Sequence, residues 1–158
     1  MTAEIPLVER LASLPFSAPA DPRGIPAAVL LALSPVGGAD DLGLVLVRRP
    51  HSMRNHAGQV GLPGGAVEPG DRDEVAAALR EAHEEVGLDP VGVRVLGTLE
   101  RLYISVSNFD VLPVVGLWDG DEPLRPNPTE VAGILSPTLR QLADPANHGA
   151  VPLARLVG

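Results

Sequence analysis

Apolar and polar positions follow two different periods along this chain, and the changes of period mark its elements. Residues 4–14 (EIPLVERLASL) place apolar side chains at helical spacing and predict a short covering helix. Asp21 to Gly24 read as a turn. The aliphatic runs at 27–33 and 43–47 predict two buried strands, with SPVGGADD as the hairpin loop between them. In that loop Asp40 and Asp41 read as solvated turn residues. Residues 93–104 and 109–118 predict two longer strands joined near 105–108, and Pro113 inside the second points to an edge strand or a bulge. Tyr103, Phe109 and Trp118 read as core side chains. The stretch 119–128 is an acidic, proline-rich loop, and 137–143 predicts a short last helix.

Between these strands lies GLPGGAVEPGDRDEVAAALREAHEEVGL, residues 61–88, a glycine-rich turn that leads into an amphipathic helix. With about 100° per residue, Glu81, Glu84 and Glu85 fall within about 100° of one another, and Val75, Leu79, Ala82 and Val86 form an apolar stripe beside them. The helix can therefore dock on a core while holding three carboxylates at the edge of a cleft. Three adjacent anions repel, and a hard divalent cation such as Mg²⁺ removes that conflict with the oxygen ligands it prefers. Asp71 with Glu74, or Asp73, can cap the start of the helix, and Gly87 can end it in the left-handed conformation. Arg80 sits four residues before Glu84 and can orient that carboxylate. His83 points away from the acidic face. Pro63, Gly64 and Gly65 allow the backbone to approach a charged ligand closely.

Composition narrows the chemistry. A chain of 158 residues with 45% hydrophobic content suits one globular domain spanning 1–158. Its formal charge of −8 argues against a nucleic acid partner held through phosphates, though not against a small phosphorylated substrate. The absence of cysteine excludes disulfides, thiol nucleophiles and thiolate metal sites. No apolar run is long enough to span a membrane, and Glu4 and Glu9 stand where a secretory leader would carry positive charge, so a cytoplasmic protein is expected. Oligomeric state leaves no mark in these patterns. Against the acidic background, RRPHSMRNHAGQVG at 48–61 gathers Arg48, Arg49 and Arg54 with His51 and His56 just before the glycine turn. Guanidinium groups bind phosphate bidentately, so an anionic substrate is expected there. No Ser-His-Asp arrangement is legible.

Residues 65–88 resemble the Nudix box, G-x(5)-E-x(7)-R-E-U-x-E-E-x-G-U, with Arg80, Glu81, Glu84, Glu85, Gly87 and Leu88 in the pattern's positions. The front departs from it: Asp71 replaces the first Glu, eight residues separate it from Arg80, and Ala82 fills the aliphatic position. Arg54, Gly58, Leu62, Pro63, Gly64 and Gly65 further resemble the R-x(3)-G-x(3)-[FL]-P-G-G motif of the coenzyme A pyrophosphatase branch, and Ser107, Val111, Pro113, Val114 and Val115 farther on resemble the middle part of the same branch. The L-L-T-x-[TSA] part of that motif is poorly matched by Leu46, Val47, Arg48 and Pro50.

The resemblance implies an α/β/α sandwich around a mixed sheet and Mg²⁺- or Mn²⁺-dependent hydrolysis of coenzyme A to 3′,5′-ADP and 4′-phosphopantetheine. It implies Glu81 and Glu85 as metal ligands, Glu84 as a ligand to a second ion or the general base, and Gly65 as a carbonyl ligand. Arg80 would assist catalysis, and Arg48, Arg49, Arg54, Gly58 and Gly64 would contact substrate. Glu130 stands where Nudix enzymes bring a further acid to the metals. ADP-ribose or another nucleoside diphosphate derivative is an alternative substrate, and a nucleotide-sensing regulator without turnover is an alternative of another class.

Overall fold

The computed structural model describes residues 7–16, 18–35, 41–51 and 58–147. In it a mixed sheet is covered by helices on both faces. Its centre is β1 (Ile25–Ser34), which runs parallel to β8 (Phe109–Leu117) from Ile25 opposite Phe109 to Leu33 opposite Leu117. Strand alternation divides the core: Ala28, Leu30 and Ala32 face one layer, whereas Leu31 and Leu33 face the other. The first layer is closed by α2 (Glu74–Val86), whose Ala77, Ala78, Ala82 and Val86 are buried. Small alanines let this helix lie close to the sheet, and its sequence is rich in strong helix formers. The second layer is closed by Leu7, Val8 and Leu11 of α1 (Leu7–Ala12), by Phe16 and by Leu139 of α3 (Leu139–Ala143).

The run at 43–47, expected as one strand, is divided between two sheets. Gly43 and Leu44 form β2 against Ser34 and Leu33 of β1, while Leu46–Arg48 form β3, which pairs with β4 (Val60–Gly61) and β9 (Gly133–Leu135). The reason is competition for one edge. Ala27, Ala28 and Val29 of β1 are already paired with β5 (Gly64–Ala66), so the chain after Leu44 must leave that edge.

The expected strand at 93–104 is likewise broken, into β6 (Arg94–Thr98) and β7 (Leu102–Ile104), both antiparallel to β8. Pro113 is consequently not at a sheet edge but in the central strand β8, flanked by β1. Its carbonyl accepts from Leu99 N at 2.9 Å, so its missing donor faces the break between β6 and β7 where no ladder bond is required. Two other expectations are corrected. Asp41 is 9% exposed rather than solvated, accepting from Leu42 N and Arg140 N. Tyr103 is partly exposed, with the Arg23 guanidinium 4.7 Å above its ring. Among the described residues no helix is long and apolar enough to cross a membrane.

Candidate active site

Helix α2 carries the acidic cluster, and its ends are set by specific contacts. Asp73 is the N-cap, its side chain accepting from Ala76 N at 2.8 Å, and Gly87 ends the helix at φ 72°. The loop between β8 and β9 then docks on the exposed carbonyls of the last turn: Arg125 N donates to Val86 O at 2.8 Å and Asn127 N to Glu85 O at 2.9 Å. These bonds bring the turn holding Glu130 towards the helix, where its charge acts on both Glu81 and Glu85. Glu130 thereby shares one electrostatic site with Glu81 and Glu85, which lie 49 and 45 residues before it in sequence.

The three helix carboxylates differ in setting. Glu84 is exposed, Glu81 is partly buried, and Glu85 is only 7% exposed. Glu85 Oε1 accepts from Gly64 N at 3.4 Å, a long bond that offsets little of the desolvation. Burial pushes Glu85 up to about 7, aided by repulsion from Glu81 and Glu130 and opposed by Gly64 N–H and Arg49. Glu81 is raised too, first by burial, then by Glu84 and Glu130, against the pull of Arg80. Such a site holds unsatisfied demand for positive charge.

Arg80 has more partners than sequence spacing indicates. Its fork grips Asp71, with Nε to Oδ1 at 2.8 Å and Nη2 to Oδ2 at 3.0 Å. Nη1 reaches Glu81 Oε1 at 3.1 Å and Glu84 Oε2 at 3.2 Å, and Nη2 also donates to Ala66 O at 3.2 Å. The guanidinium therefore orients Glu84 as expected, and Glu81 as well. Asp71 is thereby an anchor for Arg80, held well below its ordinary pKa chiefly by that hydrogen bond. It is not the helix cap; that role falls to Asp73. Sequence reasoning did not foresee the Asp71–Arg80 pair, because the contact spans nine residues through a turn rather than one helical repeat.

A family model of the NUDIX domain matches residues 25–156. The chain belongs to the Nudix family. It is 44% identical over 115 residues to the Escherichia coli K12 protein named uncharacterized Nudix hydrolase NudL, an alignment covering 73% of this chain and 58% of that one. It thus spans little more than half the length of that relative. Among solved structures, the Nudix hydrolase RenU from M. smegmatis is 27% identical with a TM-score of 0.62, over 75% of this chain and 73% of that one. The NUDIX domain of Shewanella oneidensis NrtR, solved with ADP ribose, shares the fold at 19% identity and a TM-score of 0.58, covering 88% and 87%.

In this Nudix fold Gly64 and Gly65 have separate tasks. Gly64 is buried against Ala28 O and Val29, where a Cβ would collide, so it packs on β1 and donates to Glu85. At Gly65 a Cβ would lie 2.6 Å from Glu81 Oε1, so its absence leaves room beside that carboxylate. The basic residues are separated as well. Arg49 continues β3, its N–H donating to Gln59 O at 2.9 Å, and its charge reaches Glu85. Arg48, one residue earlier, is directed to the other face of the pleat, and its guanidinium lies beside Gly133. Gly58 has φ 69° and abuts the His51 ring. Arg54 and His56 lie outside the described residues. His83 is exposed, as expected.

The residues present fit a divalent cation. Glu81, Glu84, Glu85 and Glu130 supply hard oxygen donors, and the missing Cβ of Gly65 leaves space beside Glu81. As the side chains stand, no three of the described acidic or imidazole groups close on one point, Glu81 and Glu84 being engaged by Arg80. A pH test follows. Since folding raises the pKa of Glu85, its contribution favours the fold at low pH and is lost as pH rises through about 7. Mg²⁺ should therefore raise Tm by several degrees at pH 8, where Glu85 is ionised, and by much less near pH 5.5. Equal shifts at both pH values in a thermal melt would remove Glu85 from the cation site.

Proposed function

We propose that this chain hydrolyses the diphosphate linkage of coenzyme A, releasing 3′,5′-ADP and 4′-phosphopantetheine. The observation that carries the hydrolytic reading is the shared electrostatic site of Glu81, Glu85 and Glu130, with Arg80 bonded to Glu81, the charge of Arg49 reaching Glu85, and Gly65 leaving room beside Glu81. Coenzyme A as the substrate rests on Arg54, Gly58 and the Leu62 to Gly65 turn, which match the motif of that branch.

Glu81, Glu85 and the Gly65 carbonyl would hold Mg²⁺ or Mn²⁺, with Glu130 as a further acid. When bound, the cation supplies charge neutralisation on the diphosphate oxygens and acidifies water. The chain's own groups do the rest. Arg80, fixed by Asp71, keeps Glu81 in place and holds exposed Glu84 through Oε2 alone, so that the other oxygen of Glu84 can take the proton of an attacking water as general base. Buried Glu85 accepts from Gly64 N–H and presents its negative charge above about pH 7, or at lower pH once a cation stabilises it. Arg49, with Arg54, offsets the charge of the substrate's phosphates.

Charge reversal at Arg49 should raise KM about tenfold or more, and Arg54→Glu should do the same. An unchanged KM would take the substituted residue out of the substrate site. A second reading, ADP-ribose or a related nucleoside diphosphate derivative, is favoured by the poor match of Leu46, Val47, Arg48 and Pro50 to the branch motif. Incubation with Mg²⁺ or Mn²⁺ and coenzyme A, ADP-ribose or dinucleoside polyphosphates, followed by chromatography of products, decides among them. Fastest release of 3′,5′-ADP supports coenzyme A, preference for ADP-ribose replaces it, and no turnover favours a nucleotide-sensing module.

A further inference from the structure

A cleft of about 640 Å³ lies away from the carboxylate cluster, between the segment following α1 and the break between β6 and β7. That volume is in the range of small-molecule sites. Its walls are largely apolar, with Leu14, Phe16, Pro19 and Leu99 among them. Phe16 is seated on Gly97, where any Cβ would collide, which fixes the back wall.

One polar group of this cleft is unspent. Arg101 lines it with its side chain 11% exposed, donating through Nη2 to Glu74 Oε2 at 2.6 Å and through Nε to Ala20 O at 2.5 Å. Its Nη1 is buried and has no acceptor among the described residues. A buried N–H without an acceptor is costly and marks a place for one. The chemistry of that acceptor follows from the charges. Glu74 already neutralises the guanidinium, and Glu100 adds a negative charge to the lining, so a neutral carbonyl suits the site better than an anion.

The cleft is also aligned with the proposed reaction centre. Glu74, Glu81 and Glu85 are separated by seven and four residues, which places them within about 40° on one face of α2, with Glu74 roughly 10 Å along the axis from Glu81. We propose that the cleft receives the linear, amide-bearing aliphatic arm of the substrate, with Arg101 Nη1 donating to an amide carbonyl oxygen. This rests on the coenzyme A reading, whose pantetheine arm has apolar methylene and gem-dimethyl segments, two amides, and the length to extend from a diphosphate at Glu81 to Arg101. Arg101 is then a specificity residue, which rejects substrates lacking an acceptor at that distance.

The test uses the full chain with Mg²⁺ and pantetheine, which has the arm but no phosphate. Amide chemical shifts of Thr98 to Arg101 and of Leu14, Phe16, Ala18 and Ala20 should move saturably with millimolar pantetheine; no movement there overturns the proposal. In parallel, Leu99→Glu changes an exposed lip residue and spares the Arg101–Glu74 pair. It should raise KM for coenzyme A about tenfold while leaving KM for ADP-ribose within about twofold. Equal KM changes for both substrates, or none, overturn it. If the wild type does not turn over coenzyme A, the proposed function fails by itself, and the pantetheine shifts alone then support or overturn the cleft as an amide-binding site.

Discussion

Glu85→Gln should lower kcat by about 10² to 10⁴ while making the metal-free protein more stable at pH 8. The two effects have one cause. Glu85 is buried, receives a single long backbone bond from Gly64, and faces Glu81 and Glu130, so burial drives its pKa up to about 7. At pH 8 the fold must hold an ionised carboxylate in a place that disfavours it; the neutral amide removes that charge at nearly the same volume and keeps an oxygen for Gly64 N–H. On the order of 2 kcal/mol should be recovered, which is several degrees in Tm for a chain of this size. At pH 5, where Glu85 is protonated, the variant and wild type should melt alike, because the advantage appears only as pH rises through the folded pKa. Melts in chelator at the two pH values test this. A variant less stable than wild type at pH 8 would show that Glu85 is structural, and retention of more than about a tenth of activity would remove it from the catalytic set.

Asp71→Ala should act in the opposite sense on stability. Asp71 accepts both arms of the Arg80 fork, and the side chains are 5% and 22% exposed, so removing the acid takes from a largely buried cation its bidentate partner. Losing these charge-assisted bonds costs about 2 kcal/mol, equivalent to a fall in Tm of about 4–8 °C. Arg80 would then settle on Glu81 and Glu84, which it already touches through Nη1, and compete with a cation for their oxygens. Activity should fall about tenfold to a hundredfold, with partial recovery at higher Mg²⁺. Combining Asp71→Ala with Arg80→Ala should cost less than the sum of the two single changes, since each removes the same interaction. Additive losses, or a single variant that melts with the wild type, would contradict the anchoring role. The pair should also contribute to acid sensitivity: Asp71 has a lowered pKa, so its contribution is present at neutral pH and lost as pH falls below the ordinary carboxylate range.

Much of this architecture was legible because it depends on local periodicity. The spacing of Val75, Leu79, Ala82 and Val86 against Glu81, Glu84 and Glu85 specifies one helix with an apolar and an acidic side, and Gly87 marks its end. The unbroken aliphatic run along β1 likewise marked a buried strand, and it is covered on both faces. Where the reading failed, the deciding interaction was between segments distant in sequence. The run at 43–47 has the composition of one strand, but β5 occupies the β1 edge it would have continued along. Pro113 by itself signals an edge or a bulge, and the break at 99–101 removes the need for its donor and admits it to the centre of the sheet.

The candidate site divides in the same way. Sequence alone determined the set of carboxylates on α2 and their common face, because a helix of fixed pitch leaves no other arrangement for residues three and four apart. Tertiary structure alone decided which of them is buried, and so which pKa is displaced, because burial depends on the sheet beneath α2 and on the loop that docks at Val86 and Glu85. It also decided that Asp71 holds Arg80 and that Arg101 lies against Glu74 with one donor to spare, since neither pairing follows from any period of the chain.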